Sequence, residues 1–157
     1  MSNQVEILLV DDSPEDVELT IRALRRHKIA NEIQVAEDGV EALDFLFCRG
    51  SHAGRAFSHP PKLVLLDLKL PKVNGLEVLQ AIRNDERTKS IPVVILTSSK
   101  EQQDLIKGYN LGVNAFVQKP VDFEQFGEAI RQIGMFWMLL NQAPPLGKPV
   151  ESMAHGA

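Results

Sequence analysis

Four short runs of aliphatic residues constrain the fold of this chain more than any other feature: Val5 to Val10, Leu63 to Leu66, Val93 to Leu96 and Asn114 to Val117. Each is nearly continuous in apolar residues instead of alternating, the pattern of a strand covered on both faces. Glu32 to Ala36 alternates and suits a sheet edge. Helical spacing fills the intervals, over Pro14 to His27, Gly39 to Arg49, Gly75 to Asn84, Glu101 to Leu111 and Phe123 to Leu140. Strand and helix therefore alternate five times. Connections too long for hairpins require parallel strands joined by right-handed crossovers, with helices on both faces. The expected fold is α/β, a doubly wound five-stranded parallel sheet in the flavodoxin-like order 2-1-3-4-5 with five helices. Ligands bind such sheets beyond the carboxyl ends of the strands, so the residues that follow each strand are the ones to read for chemistry.

Composition narrows the function. The chain has 157 residues, 44% hydrophobic and 24% charged, enough for one domain whose core needs no disulfide or structural zinc. The single cysteine, Cys48, sits in an apolar stretch and reads as a small buried hydrophobe in a reducing compartment. Seventeen Lys and Arg against 21 Asp and Glu leave a net charge of −4, which repels a phosphate backbone and argues against nucleic-acid binding. The N-terminus lacks the basic region and long apolar core of a signal peptide, and the run Met135 to Leu140 is too short to span a bilayer. A cytoplasmic protein without membrane association is expected. Gly50 to Pro61 mixes small, polar and proline residues and reads as a long loop, with His52 and His59 as solvated residues and not metal ligands. The expected domain covers residues 1–143. Residues 144–157 form a tail, and the 17 residues from Asn141 onward are too few for an output domain with its own core.

The strand ends carry the chemistry. The first strand leads into Asp11-Asp12, two carboxylates that repel each other unless a cation or a hydrogen-bond network sits there. Helix capping does not need them, because Ser13-Pro14-Glu15-Asp16 reads as a capping box with Ser13 as N-cap, Pro14 at the first helical position and Asp16 reaching back. The third strand ends in Asp67, and the next helix starts near Asn74-Gly75, so Asp67 has no capping role either. Strands one and three are neighbours in the expected order, so the three carboxylates converge and suit a hard divalent cation, Mg²⁺ before others. The fourth strand ends in Thr97, where Ser98 or Ser99 can cap the next helix and leave the threonine unneeded. The fifth ends in Lys119-Pro120. A cation-assisted phosphoryl site is the chemistry that uses all of these groups.

In this order and spacing, Asp11-Asp12, Asp67 within Leu-Leu-Asp-Leu-Lys-Leu-Pro, Asn74-Gly75, Thr97 and Lys119-Pro120 resemble the receiver domain of two-component response regulators, over about Val5 to Leu140. The loop before strand three, the run Ile91 to Thr97 and Phe136-Trp137 resemble the stand-alone regulators that serve bacterial phytochromes. The resemblance implies that Asp67 is the phosphoacceptor, attacking a phosphohistidine on a sensor histidine kinase, a phytochrome kinase first among candidates. It implies that Asp12, Asp67 and the backbone carbonyl of Lys69 ligate Mg²⁺, with Asp11 acting through a metal-bound water. Lys119 would pair with the phosphoryl oxygens, Thr97 would move to hydrogen-bond them, and Phe116 stands at the aromatic switch position. Lys119-Pro120 would be a cis peptide. Lys69 occupies a position where the family varies, and its ammonium could shield or hold the phosphate. Such a protein is a phosphoacceptor that assists its own phosphotransfer and signals by contact, without being an enzyme in its own right. One alternative is a haloacid dehalogenase-like phosphotransferase, which needs an acid where Lys69 stands; another is a receiver from a pathway that does not sense light, such as chemotaxis. In the last helix Phe123, Phe126, Ile130, Ile133, Trp137 and Leu140 share one stripe, which leaves Met135, Phe136, Met138 and Leu139 off it as the expected surface of a homodimer.

Overall fold

The computed structural model describes residues 6–29 and 32–132. Its elements are β1 (Ile7–Val10), α1 (Pro14–Arg26), β2 (Ile33–Ala36), α2 (Gly39–Leu46), a 3-10 turn (Gly50–His52), β3 (Leu63–Asp67), α3 (Gly75–Arg83), β4 (Val93–Thr97), α4 (Lys100–Lys107), β5 (Ala115–Gln118) and α5 (Phe123–Gln132). All strand pairs are parallel and the order is β2-β1-β3-β4-β5, as the alternation of runs requires.

The sheet divides two cores, and this is why the central strands do not alternate. Ile7, Leu9, Leu63, Leu65, Val94, Leu96 and Val117 face Leu24 of α1 with Phe126 and Ile130 of α5. Their sequence neighbours Leu8, Val10, Val64, Leu66, Val93 and Ile95 face Phe45 of α2, Leu79 and Ile82 of α3 and Ile106 of α4. Every residue of β1, β3 and β4 is buried, whereas three of the four residues of the edge strand β2 are half-buried. Among the described residues no helix is long and apolar enough to cross a membrane.

Several expected boundaries move. Helix α2 stops at Leu46, short of Arg49, because Cys48 turns the chain with φ +55°. Helix α4 runs from Lys100 to Lys107 and not from Glu101 to Leu111; Asn110 and Gly112, at φ +53° and +66°, break the helix. The stretch 50–61 is more than an open loop. The Arg55 guanidinium lies 3.7 Å from the Phe45 ring centroid and donates to the carbonyls of Phe45 and His59. His52 is not the solvated residue expected: its ring stands edge-on to Phe45 at 5.1 Å and its Nε2 is buried, because the 3-10 turn folds back onto α2. His59 is exposed as expected. Helix α5 is described as far as Gln132, so Met135, Phe136, Met138, Leu139 and the tail lie outside the described residues.

Candidate functional site

Parallel pairing delivers the site to one end of the sheet. Val10 lies opposite Leu66, Asp67 opposite Leu96 and Thr97 opposite Gln118, so the residues that follow β1, β3, β4 and β5 meet at the carboxyl edge. Carboxylate oxygens of Asp11, Asp12 and Asp67 lie within 4.8 Å of one another. Asp11 and Thr97 are fully buried, Asp67 is nearly so, and Asp12 is exposed. The peptide Lys119-Pro120 is cis, and the Lys119 amide donates to the Thr97 carbonyl at 2.7 Å.

The Lys119 ammonium is the centre of the cluster. Its Nζ lies 3.0 Å from Asp67 Oδ2, 3.1 Å from Asp11 Oδ2 and 2.9 Å from Asp16 Oδ2. Burial alone would make this amine easier to deprotonate, but the three carboxylates prevail and hold its pKa above the usual lysine value. Asp11 is driven towards its neutral form instead. Burial raises its pKa from 3.8 to about 6, against the opposing pull of the Ser13 amide and of Lys119. Asp67 Oδ1 accepts from the Lys69 amide at 3.3 Å, so the loop after β3 turns its backbone towards the acid while the Lys69 side chain stays exposed.

Two local assignments made from sequence exchange places. Ser13 does cap α1, accepting from the Asp16 amide at 3.3 Å, but the returning half of the box is absent. Asp11 Oδ1 takes the Ser13 amide at 3.0 Å, and the Asp16 carboxylate, freed from that duty, joins Lys119. The reason is geometric: the first turn of α1 begins directly beyond β1, so an acid at its third position can turn towards the end of β5 instead of towards its own N-cap. An Asp in place of the longer Glu of the usual box was the signal available in the sequence. On the β4 side the expectation holds. Ser99 caps α4 through the Gln102 amide at 3.2 Å, and Thr97 has no part in the cap. Its hydroxyl instead donates to the Ser99 carbonyl at 2.7 Å and accepts from the Ser99 amide at 3.0 Å. Phe116 is half-buried on the α4 side of the sheet, with Lys107 Nζ 5.5 Å from its ring centroid.

The donor set fits a hard divalent cation. Three carboxylates converge, one of them exposed to solvent, and Asp11 Oδ2 is a buried oxygen with no hydrogen bond of good geometry beyond its ion pair with Lys119. Among the described residues no histidine or cysteine joins this cluster, and the one nitrogen shown beside the carboxylates, Lys119 Nζ, is a charged ammonium and not a metal ligand.

Comparison with known proteins agrees with this geometry. A curated relative, the probable methanogenesis regulatory protein FilR2 of Methanothrix harundinacea, is 40% identical over 138 residues, covering 88% of this chain and 86% of FilR2. The solved structure of the bacteriophytochrome response regulator RtBRR is 50% identical, covers 98% of this chain and 89% of its own, and superposes with a TM-score of 0.82. The Mn²⁺-bound form of response regulator Rcp1 is 37% identical, with 90% and 99% covered and a TM-score of 0.70. The family model of the response regulator receiver domain matches residues 7–131. The described fold and its acidic edge therefore place the chain in the response regulator receiver domain family.

Proposed function

We propose that Asp67 accepts a phosphoryl group from the phosphohistidine of a sensor histidine kinase, and that the aspartyl phosphate is read out by protein contact. The observation that carries this reading is the Lys119 ammonium 3.0 Å from Asp67 Oδ2 at an edge where Asp11 and Asp12 also converge. An Asp67 oxygen attacks the phosphorus, the P–N bond breaks, and the electron pair leaves with the imidazole. Lys119 holds the attacking carboxylate in place and lies within reach of phosphoryl oxygens once they arrive. Thr97 must give up its bonds to Ser99 before its hydroxyl can reach the same oxygens, which ties that side chain to the first turn of α4. Asp11, Asp12, Asp67 and the Lys69 carbonyl would hold Mg²⁺, which neutralises charge on the attacking carboxylate and the transferred group.

The likeness to RtBRR supports a phytochrome kinase as donor, and the deciding experiment mixes the purified protein with phosphorylated kinases, a phytochrome kinase first. Label should pass to the parent and not to Asp67→Asn. Transfer from another kinase in preference to the phytochrome kinase would retain the phosphoacceptor and reassign the input, while label on Asp67→Asn would overturn the acceptor itself.

A homodimer is the proposed form of the protein. Leu105 and Tyr109 are 60% and 48% exposed, and they leave apolar surface on and just beyond α4. The sequence adds Met135, Phe136, Met138 and Leu139 beyond the described part of α5. Sedimentation should show a dimer for the parent and a monomer for Phe136→Glu; a monomeric parent at tens of micromolar would end this proposal.

A further inference from the structure

Asp16 is the acid at this edge that the reaction proposed above does not use, and we infer that it is a positioning residue that competes with the phosphoryl group for Lys119. The inference rests on that reading of Asp67. Lys119 Nζ lies within ion-pair distance of three carboxylates: Asp67 at 3.0 Å, to which it donates a hydrogen bond, Asp11 at 3.1 Å and Asp16 at 2.9 Å. A phosphoryl oxygen on Asp67 draws Lys119 towards itself at the expense of these ion pairs. Asp11 is fully buried and its Oδ2 takes no hydrogen bond from the protein, so water cannot readily take the place of Lys119 there. Asp67 is the acceptor itself. The Asp16 side chain is 29% exposed and stands at the first turn of α1, where water can replace the lysine, so its bond is the cheapest to break.

Two consequences follow for the chemistry. In the resting protein Asp16 keeps the ammonium charged and seated beside Asp67. On phosphorylation the same carboxylate opposes the incoming dianionic group by holding Lys119 back. Removing it should therefore favour the phosphorylated form, an outcome opposite to that of losing a group which stabilises the phosphate.

Beryllofluoride, a tetrahedral mimic of a carboxylate-bound phosphoryl group, gives an equilibrium readout. In saturating Mg²⁺ it should bind the parent and fail to bind Asp67→Asn. Asp16→Ala should bind it about fivefold more tightly than the parent, the scale of one partly exposed ion pair. That gain should shrink below twofold in a Lys119→Met background, because a purely structural effect on α1 would persist there. If Lys119→Met binds too weakly to measure, Asp16→Glu serves instead: it keeps the carboxylate and should stay near the parental affinity. Parental affinity in Asp16→Ala, an undiminished gain without Lys119, or a gain in Asp16→Glu equal to that in Asp16→Ala would each overturn the role of Asp16 while leaving Asp67 as acceptor. A parent that does not bind the mimic through Asp67 would overturn both.

Discussion

Asp11 carries a charge in the place least able to solvate it. It is fully buried, and its pKa of about 6 stands above the 3.8 of an ordinary aspartate. The folded protein therefore binds a proton that the unfolded chain releases between about pH 4 and 6, and ionised Asp11 subtracts from stability above that window. The penalty is relieved as the pH falls through 6. In EDTA at pH 8, Asp11→Asn should melt above the parent by the equivalent of about 1–3 kcal/mol, and the difference should fade by about pH 4.5. An Asp11→Asn variant that melts below the parent at pH 8, or a difference that ignores pH, would contradict the buried, charge-strained Asp11 described here. The sequence made the pair Asp11-Asp12 conspicuous but could not say which of the two is buried: adjacent residues leaving a strand point to opposite sides, and only the packing around them sets their exposure.

At the scale of elements, close contacts between helices and loops decide where these residues sit. Gly75 opens α3 against the backbone that follows β3: its amide donates to the Leu68 carbonyl at 2.9 Å, and a Cβ there would lie 2.6 Å from Leu68 Cα. On the other face, Gly127 lets α5 approach α1. The His27 ring stacks on Phe123 at 4.0 Å, its Nε2 lies 2.7 Å from the Phe123 carbonyl oxygen, and a Cβ at position 127 would lie 2.7 Å from that same nitrogen. Gly→Ala inside a helix ordinarily stabilises by about 0.5–1 kcal/mol. Here the ring is held and cannot yield, so Gly127→Ala should destabilise by about 1–3 kcal/mol in denaturant titrations, and His27→Ala should recover most of that loss in the double variant. A more stable Gly127→Ala protein would show that His27 moves aside freely. Both glycines were visible in the sequence. Their neighbours were not, because Gly127 and His27 are brought together only by the crossover that stacks α5 beside α1. The same holds at the other end of the sheet, where Arg83 of α3 donates to the carbonyls of Leu111 at 2.7 Å, Ile91 at 2.7 Å and Gly112 at 3.0 Å, and so secures the turn at which α4 ends early. Periodicity locates a helix well and its last turn poorly, since such carbonyl partners lie far along the chain.

For the molecule as a whole, strand order and the carboxyl edge that carries the site were legible because continuous apolar runs leave few alternatives to a doubly wound parallel sheet. The site was legible to the same extent, since the sheet alone brings Asp11, Asp12, Asp67, Thr97 and Lys119 together. Asp16 was missed because an acid near a helix N-terminus satisfies two readings, and the choice between them depends on where the end of β5 lies. Counting it, four carboxylates gather at one edge and three of them share the Lys119 ammonium, in a chain whose net charge is only −4. A divalent cation that binds the folded edge and not the unfolded chain must then raise global stability by mass action, by about 2.7 kcal/mol at a hundredfold excess over its Kd. For a domain of this size that corresponds to a rise of about 5–10 °C in Tm on adding Mg²⁺ to EDTA-treated protein. Asp12→Asn should lose most of this rise because it removes an exposed ligand without opening the core, and monovalent salt at matched ionic strength should not reproduce it. An Mg²⁺-independent Tm in the parent, or an undiminished rise in Asp12→Asn, would mean that these carboxylates meet without forming a metal site and that Lys119, paired with three of them, offsets the charge in its place.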